Sequence, residues 1–492
     1  MPELNAIQKD YLLAEGFTES CRKFPMHQAL YIGNQFYTYN DLLQKAEIIF
    51  EQFQKKNTPA YIGIYTDESV WTYAAIIAVS LTGACYVPLN ARLPDQKLQT
   101  IIKACKLQLI ISGKPTPFSH QAQELIIDTG SKTREKISVI VTQPFAYLLF
   151  TSGTTGEPKG VPVSKKNCES FFRHYQGNFD FNASDKFLQP YELSFDVSVF
   201  CIFSAWHCGA CLYVVPEEGF KYLNCMQMIK THDITITSMV PTVLQYLEKY
   251  LDEFSFDSLR YSFFSGDKLY HHLAKKWSKL AAKAQVFNCY GPTETTVVCT
   301  SYLWEETRSE KESVNNIVPL GKPFEDMAFI LVNEQNEYIN AGTGELCFTG
   351  KQVIDHYLGQ QNEDCFFEYK RKRYYKTGDL AAVNENGNLI FYGRNDSQVK
   401  INGFRVELTE IENVIFKITG KNVVVIAGTE NNLEVLFAFI ENAKMDETKL
   451  RTELSGFLPV YMIPAHYRFV NAFPKNINGK IDRRQLKQYL NE

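Results

Sequence analysis

The segment Tyr147-Leu-Leu-Phe-Thr-Ser-Gly-Thr-Thr-Gly-Glu-Pro-Lys-Gly160 constrains this chain more than any other. Its apolar start, residues 147–150, has the pattern of a buried strand. From Thr151 through Ser152, Gly153, Thr154, Thr155 and Gly156, every side chain is a hydroxyl or is missing. Glycine lets backbone approach a ligand closely, and small hydroxyl residues add donors without bulk. Lys159 then brings a mobile positive charge to the end of the loop. Such a loop suits phosphate oxygens; the plainer alternative is a polar turn between two strands. It departs from the common nucleotide loop, because Gly160 follows the lysine where that loop has serine or threonine.

Around this loop the chain alternates strand and helix signals. Strands read at 61–65, 85–88 and 107–112, with helices at 69–81 and 94–105 between them. This is the pattern of βαβ units and a largely parallel sheet. A helix follows the loop from Ser164, its N-cap, to about residue 175. A second cycle has strands at 212–215, 234–238, 260–264 and 285–289, with a helix at 241–250. The charged run 305–316 reads as an exposed loop. Hairpin signals then dominate at 327–332, 344–349 and 380–392, the last folded at Asn386-Gly387, a two-residue turn signal. From Asp396 a further piece of α+β character begins, with a helix at 407–416, a turn at Asn431-Asn432 and a helix at 449–458.

At 492 residues the chain has room for about three domains of ~150 residues. Its 45% hydrophobic and 22% charged residues are those of an ordinary globular enzyme. A net charge of −4 gives no support for nucleic-acid or anionic-membrane binding. No signal peptide is evident, and the longest apolar stretch is too short to span a bilayer, so a cytoplasmic protein is expected. The twelve cysteines have no regular spacing and read as reduced core thiols. His207-Cys208-Gly-Ala-Cys211 has the look of half a zinc site, but no second pair accompanies it, and core packing is the expectation.

Further motifs carry chemistry. Asn288-Cys-Tyr-Gly-Pro-Thr-Glu294 turns sharply and presents a ring, a hydroxyl and a carboxylate from one bend. Tyr290 can stack on a nucleobase and Glu294 can hold a magnesium ion; alternatively, the turn merely caps a helix. Tyr375-Lys-Thr-Gly-Asp379 offers a carboxylate suited to ribose hydroxyls, in a pattern that is common by itself. Gly393-Arg-Asn-Asp-Ser-Gln-Val-Lys-Ile-Asn-Gly-Phe-Arg-Val-Glu407, with Gly393 and Gly403 bracketing alternating charge, reads as a mobile joint feeding a hairpin. Asn476-Ile-Asn-Gly-Lys480 places a lysine behind a flexible turn, where a solvated surface lysine is the usual reading.

Together these stretches, in this order from about residue 30 to 486, resemble the adenylate-forming superfamily of acyl- and aryl-CoA ligases, luciferase-like enzymes and amino-acid adenylation domains. The resemblance implies an α/β protein: two α/β subdomains and a small β-barrel-like subdomain make up residues 1–395. A mobile α+β C-terminal lid spans 396–492. It also implies two half-reactions, in which a carboxylate attacks the α-phosphate of magnesium-bound ATP and a thiol then takes the acyl group. Thr151 to Gly156 and Lys159 would hold the terminal phosphates. The nucleotide set is completed by Asn288, Tyr290 beside adenine, Gly291, Thr293, Thr295, and Asp379 with Arg394 at the ribose. Glu294 would bind magnesium. Lys480 would bridge the substrate carboxylate and the α-phosphate, Asp396 would be the hinge, and the Gly403 region would serve thiol transfer.

Asp196, in Phe195-Asp-Val-Ser-Val-Phe200, lies in an apolar context where an unpaired carboxylate is costly. Amino-acid-activating members hold the substrate's ammonium with an aspartate here; the local alternative is a helix cap. By the same likeness the substrate pocket is formed by Val197, Phe200, Ser238, Met239, Phe264, Ser265, Gly266, Cys289, Val297 and Val298, which suits a small or apolar amino acid. No carrier domain follows Lys480, so the expected acceptor is a separate phosphopantetheinylated carrier protein. The alternative is an acyl- or aryl-CoA ligase using coenzyme A. Free-standing members that charge D-alanine are similar, yet Ser265 stands where they carry cysteine and Asp267 where they carry glutamate.

Overall fold

The computed structural model describes residues 12–54, 58–131, 134–151, 158–333, 335, 337–359, 365–395, 398–430, 433–441, 445–474, 481 and 483–490. Two mostly parallel sheets lie at its centre. The first has six strands in the order Gln123–Ile126, Leu109–Ser112, Tyr61–Thr66, Cys85–Asn90, Phe145–Thr151 and Lys159–Ser164. Only its last pair is antiparallel, with Thr151 opposite Lys159. The second sheet has nine strands. Its parallel centre runs Gln285–Tyr290, Tyr261–Phe264, Ile236–Met239, Lys186–Gln189, Cys211–Val214 and Gln28–Ile32, with antiparallel strands at both edges.

The helices that cover these sheets follow their apolar patterns. Val70–Leu81 is buried almost all round, as its run of alanine, isoleucine and valine requires. Lys165–Asn178 starts at Ser164, whose hydroxyl accepts from the Asn167 N–H at 3.1 Å while the Asn167 side chain accepts from the Ser164 N–H at 2.9 Å. This reciprocal cap satisfies two donors the helix cannot. Val197–Cys208 begins immediately after Asp196 and stops at Gly209, whose φ of 82° suits a left-handed C-cap. Within it Trp206 is fully buried, donates its indole N–H to the Ala29 carbonyl at 3.0 Å and meets Phe17 edge-on. Cys211 is buried and Cys208 partly so; burial pushes both thiols up to about 12, as core packing implies.

The smaller piece is an antiparallel sheet built on Met327–Val332, Gly344–Gly350, Lys372–Val383 and Leu389–Arg394. Two local expectations change here. The charged run forms a helix, Glu306–Glu312, with Glu306 in its first turn and Lys311 in its last. That order of charge favours a helix through its dipole, and fully buried Ser309 anchors it by accepting from the Glu305 N–H at 2.9 Å. The Asn386-Gly387 hairpin is wider than a two-residue turn. The Asn384 side chain accepts from the N–H groups of Asn386 and Asn388 at 3.0 and 2.8 Å, so a side chain closes a five-residue loop.

The C-terminal residues form a hairpin, Gln398–Ile401 with Phe404–Glu407, and a three-stranded sheet, Val423–Glu430, Leu433–Glu441 and His466–Val470, packed by Leu408–Thr419 and Glu447–Ser455. One of their apolar clusters, which includes Ile411, Ile415, Leu436, Leu450 and Tyr467, draws on C-terminal residues alone. The expected turn at Asn431-Asn432 lies outside the described residues. No helix among the described residues is long and apolar enough to cross a membrane.

Trp206 joins one helix to a strand and a second helix, so Trp206→Ala is expected to cost about 3–5 kcal/mol. The check is a lower midpoint of urea unfolding with the slope retained.

Candidate active site

Ligands of open α/β sheets bind beyond the carboxyl ends of the strands. Here those ends deliver Tyr191, Met239, Ser265 and Tyr290 to one cavity of about 530 Å³. Its wall also includes Thr151, Asp196, Val197, Gly266, Gly291, Thr293, Val297 and Val298 from the expected set, together with Asp379 and Arg394. A second cavity of about 360 Å³ shares Gly266, Tyr290, Gly291, Asp379 and Arg394, and adds Asp267, Asn288 and Cys289. Phe200, Ser238 and Phe264 line neither. Phe200 sits among Phe171, Tyr175 and Phe263, and Phe264 packs on Trp277, so large apolar side chains of the core occupy those places. Ser152, Gly153, Thr154, Thr155, Gly156, Asp396 and Lys480 lie outside the described residues.

The bend after strand Gln285–Tyr290 is very tight. A Cβ on Gly291 would stand 2.5 Å from the Val298 Cα, so only glycine fits. Thr296 and Val297 both have left-handed φ, 60° and 66°, a costly conformation for β-branched residues that is held by its surroundings. Gln352 does the holding: its side-chain amide N–H donates to the Val298 and Thr295 carbonyls at 2.9 and 3.1 Å, and its backbone carbonyl accepts from the Thr296 hydroxyl at 2.6 Å. Thr295 donates to the Pro292 carbonyl and Asn288 to the carbonyls of Val318 and Pro319, so both brace this bend.

Three buried carboxylates of the expected set stand in different states: Asp379 and Asp196 line the cavities, whereas Glu294, like Thr295 and Lys159, lines neither. Asp379 stands opposite Arg394 across a strand pair and is bonded to it at 2.5 Å; its other oxygen accepts from the Tyr290 hydroxyl at 2.5 Å. Glu294 is 1% exposed. One oxygen accepts from the Tyr357 hydroxyl at 2.7 Å and the other pairs with Arg405 at 3.1 Å. Burial opposes its charge, yet the Arg405 guanidinium and Tyr357 hold its carboxyl below the usual carboxylate range. Asp196 is 7% exposed, and its Oδ2 has no hydrogen-bond partner. Burial, reinforced by the Glu294 charge, pushes its pKa up to about 7, although Thr293 and the backbone of Val297 and Val197 oppose the shift. Asp196 ends on the N-cap of its helix without capping it through the side chain.

The C-terminal hairpin enters this site. Arg405 reaches Glu294, and Lys400 lies 5.9 Å from the Tyr290 ring centroid, its pKa lowered by burial against the pull of Asp379 and Asp267. Gly403, at a φ of 83°, packs so closely that a Cβ would meet Val240 at 2.6 Å. Lys97–Glu410 and Lys268–Glu434 pair across the same boundary. Lys159 lies 5.5 Å from the ring of Tyr357, which links the loop strand to Glu294. Gln352, Tyr357, Lys400 and Arg405 were not among the expected site residues. Arg405 and Lys400 sit in the motif 393–407, whose glycines and alternating charge stand out in the sequence, whereas nothing local marks Gln352 or Tyr357.

A family model for AMP-binding enzymes matches residues 17–358. The chain belongs to the AMP-binding enzymes. Among relatives of this AMP-binding enzyme, the delta-poly-L-ornithine synthetase of Acinetobacter baumannii is 30% identical over 97% of the chain but only 36% of its own length. The D-alanine–D-alanyl carrier protein ligase of Bacillus licheniformis is 29% identical over 92% of the chain and 94% of its own. The Vibrio cholerae adenylation domain AlmE, solved with glycyl-adenosine-5'-phosphate, superposes with a TM-score of 0.86 at 27% identity, covering 97% of each chain. The chain spans less than half the length of several curated relatives it matches.

Because the Gln352 side chain pairs two carbonyls beside the left-handed residues, Gln352→Leu is expected to leave them unpaired at a cost of about 1–3 kcal/mol. Chemical denaturation should report this loss, and Gln352→Glu should not recover it, because an ionised carboxylate cannot donate to those carbonyls.

Proposed function

We propose that this AMP-binding enzyme is an ATP-dependent amino-acid ligase. It forms an aminoacyl-AMP with release of pyrophosphate, then passes the aminoacyl group to the phosphopantetheine thiol of a separate carrier protein. The observation that carries this reading is Asp196: a buried carboxylate with an unpartnered oxygen, in the same cavity as the Asp379–Arg394 pair. A substrate ammonium satisfies such an oxygen; a fatty or aryl acid leaves it orphaned. The similarity to an amino acid–carrier protein ligase and to a glycyl-adenylate-bound domain supports it. A CoA ligase would use the same thiol arm, but Asp196 speaks against its acids. D-alanine, named by one relative, is one candidate substrate.

In this reading Asp379 and Arg394 hold the ribose, Tyr290 flanks adenine, and Thr151, Lys159 and the intervening loop hold the terminal phosphates. Glu294 suits magnesium, since a hard cation takes a single carboxylate together with phosphate and water oxygens. When bound, that ion would neutralise triphosphate charge. Lys480 then acts on the reacting carboxylate and α-phosphate, where a cation between two anions lowers the barrier. Residues 396–492 form a lid that turns about Asp396 on a core of 1–395. Arg405 on Glu294 and Gly403 against Val240 belong to the orientation for thiol transfer, since Arg405 occupies the carboxylate that magnesium requires.

ATP–pyrophosphate exchange tests this reading: α-amino acids should stimulate it, and stimulation by fatty or aryl acids alone would sink it. Asp196→Asn should lower kcat/KM for the amino acid by about a hundredfold, the loss of a charge-assisted bond worth ~3 kcal/mol. An ammonium needs the ionised carboxylate. The wild-type kcat/KM should therefore rise about tenfold per pH unit below the Asp196 value of about 7 and level off above it. Arg405→Ala should slow transfer from a supplied adenylate while exchange persists, and Lys480→Ala should do the reverse. Equal loss of both half-reactions in both variants would refute the two-orientation model.

A further inference from the structure

Asp196 is not the only orphan in the large cavity. Tyr191 and Ser265 line the same wall, and each has a buried hydroxyl without a hydrogen-bond partner. Ser265 is 3% exposed. Both are held rigidly through their backbones. Ser265 follows strand Tyr261–Phe264 and donates its N–H to the Met239 carbonyl at 3.2 Å. Tyr191 follows strand Lys186–Gln189, and the Gln189 side chain bonds its carbonyl at 3.0 Å and its N–H at 3.4 Å. The Tyr191 hydroxyl lies near those of Ser238 and Ser265 but makes no well-formed bond with either.

An unpaired buried hydroxyl costs free energy, and two beside one cavity, with a third orphan on a carboxylate, form a set of contacts made for a ligand. The neighbouring wall contributes Val197, Met239, Val297 and Val298, none of which carries a strong donor or acceptor on its side chain. Several charged residues that also line the cavity are already engaged: Arg92 with Glu217 at 2.6 Å and Lys97 with Glu410 at 3.0 Å, while the Glu192 carboxylate accepts from the Asn90 amide at 2.5 Å. An uncharged polar side chain on the substrate finds two unsatisfied hydroxyls beside the apolar groups.

We propose that the amino acid activated here carries a side-chain hydroxyl, serine or threonine being the simplest, and that Ser265 and Tyr191 are the residues that select it. This rests on the amino-acid ligase reading and narrows it from a small or apolar amino acid to a hydroxylated one. Asp196 takes the ammonium, and the side-chain oxygen bonds the two hydroxyls. A site built to bond a substrate hydroxyl discriminates strongly against the analogue that lacks it, because the partners are then left unpaired.

The test is ATP–pyrophosphate exchange with two pairs, serine against alanine, which lacks the hydroxyl, and threonine against its isostere valine, each as both enantiomers. At least one hydroxylated member should exceed its partner about a hundredfold in kcat/KM. Ser265→Ala and Tyr191→Phe should each shrink that ratio tenfold or more. The ratio is internal to each variant, so a reduced folded fraction cancels. Alanine or valine matching the hydroxylated partner overturns the proposal and leaves the ligase reading standing. Ratios unmoved in both variants, or variants that change only transfer to the thiol, also overturn it, the latter by assigning the two hydroxyls to the thiol channel. Exchange with no amino acid at all removes the ligase reading itself.

Discussion

A carboxylate as buried as Glu294 cannot remain ionised without a cation beside it, and the structure supplies Arg405. Removing a charge from water costs several kcal/mol, repaid only by close pairing and further hydrogen bonds. Tyr357 provides one such bond, and Tyr357 also lies over Lys159 at the mouth of the hydroxyl-rich loop. One carboxylate thereby ties the loop strand, the small antiparallel sheet and the C-terminal hairpin together. Exchange of one cation for another at this point is electrostatically simple; leaving it with none is not. The proposed turn of the C-terminal part therefore has a natural partner event, the arrival or departure of another positive charge.

Much of the scaffold was legible in the sequence because strand and helix periodicities differ so clearly. The strands at 61–66 and 85–90, the helix at 70–81 and the cap at Ser164 all follow from local pattern. The charged run at 306–312 was not legible as a helix, since its anchor is a serine that tertiary packing buries, with Lys275 of another helix paired to Glu306 at the surface. Asn386-Gly387 signalled a hairpin but not its width, because the deciding donor–acceptor set belongs to Asn384.

The site divides along the same line. Asp379 and Arg394 were readable as separate motif residues, and their pairing is a matter of strand register. Val197, Met239 and Ser265 reach the cavity, whereas Phe200, Ser238 and Phe264 do not; a residue's place in a motif does not say which way its side chain faces a curved wall. Gln352 carries no local signal at all. Its role exists only because Thr296 and Val297 adopt backbone angles that no pattern of residue types announces.

Gly403 meets the core beside Val240, and its carbonyl oxygen lies 3.8 Å from where a Cβ would stand on Gly266. Neither glycine has a side chain to immobilise, so this part of the contact costs almost no rotamer freedom. What remains to set its strength is ionic. The Lys268–Glu434 pair, with both side chains about a third exposed, is open to screening by salt, whereas Arg405–Glu294 is shielded from it. The boundary between hairpin and core is thus smooth at its glycines and charged at its ion pairs, and dissolved ions reach one of those pairs while the other stays closed to them.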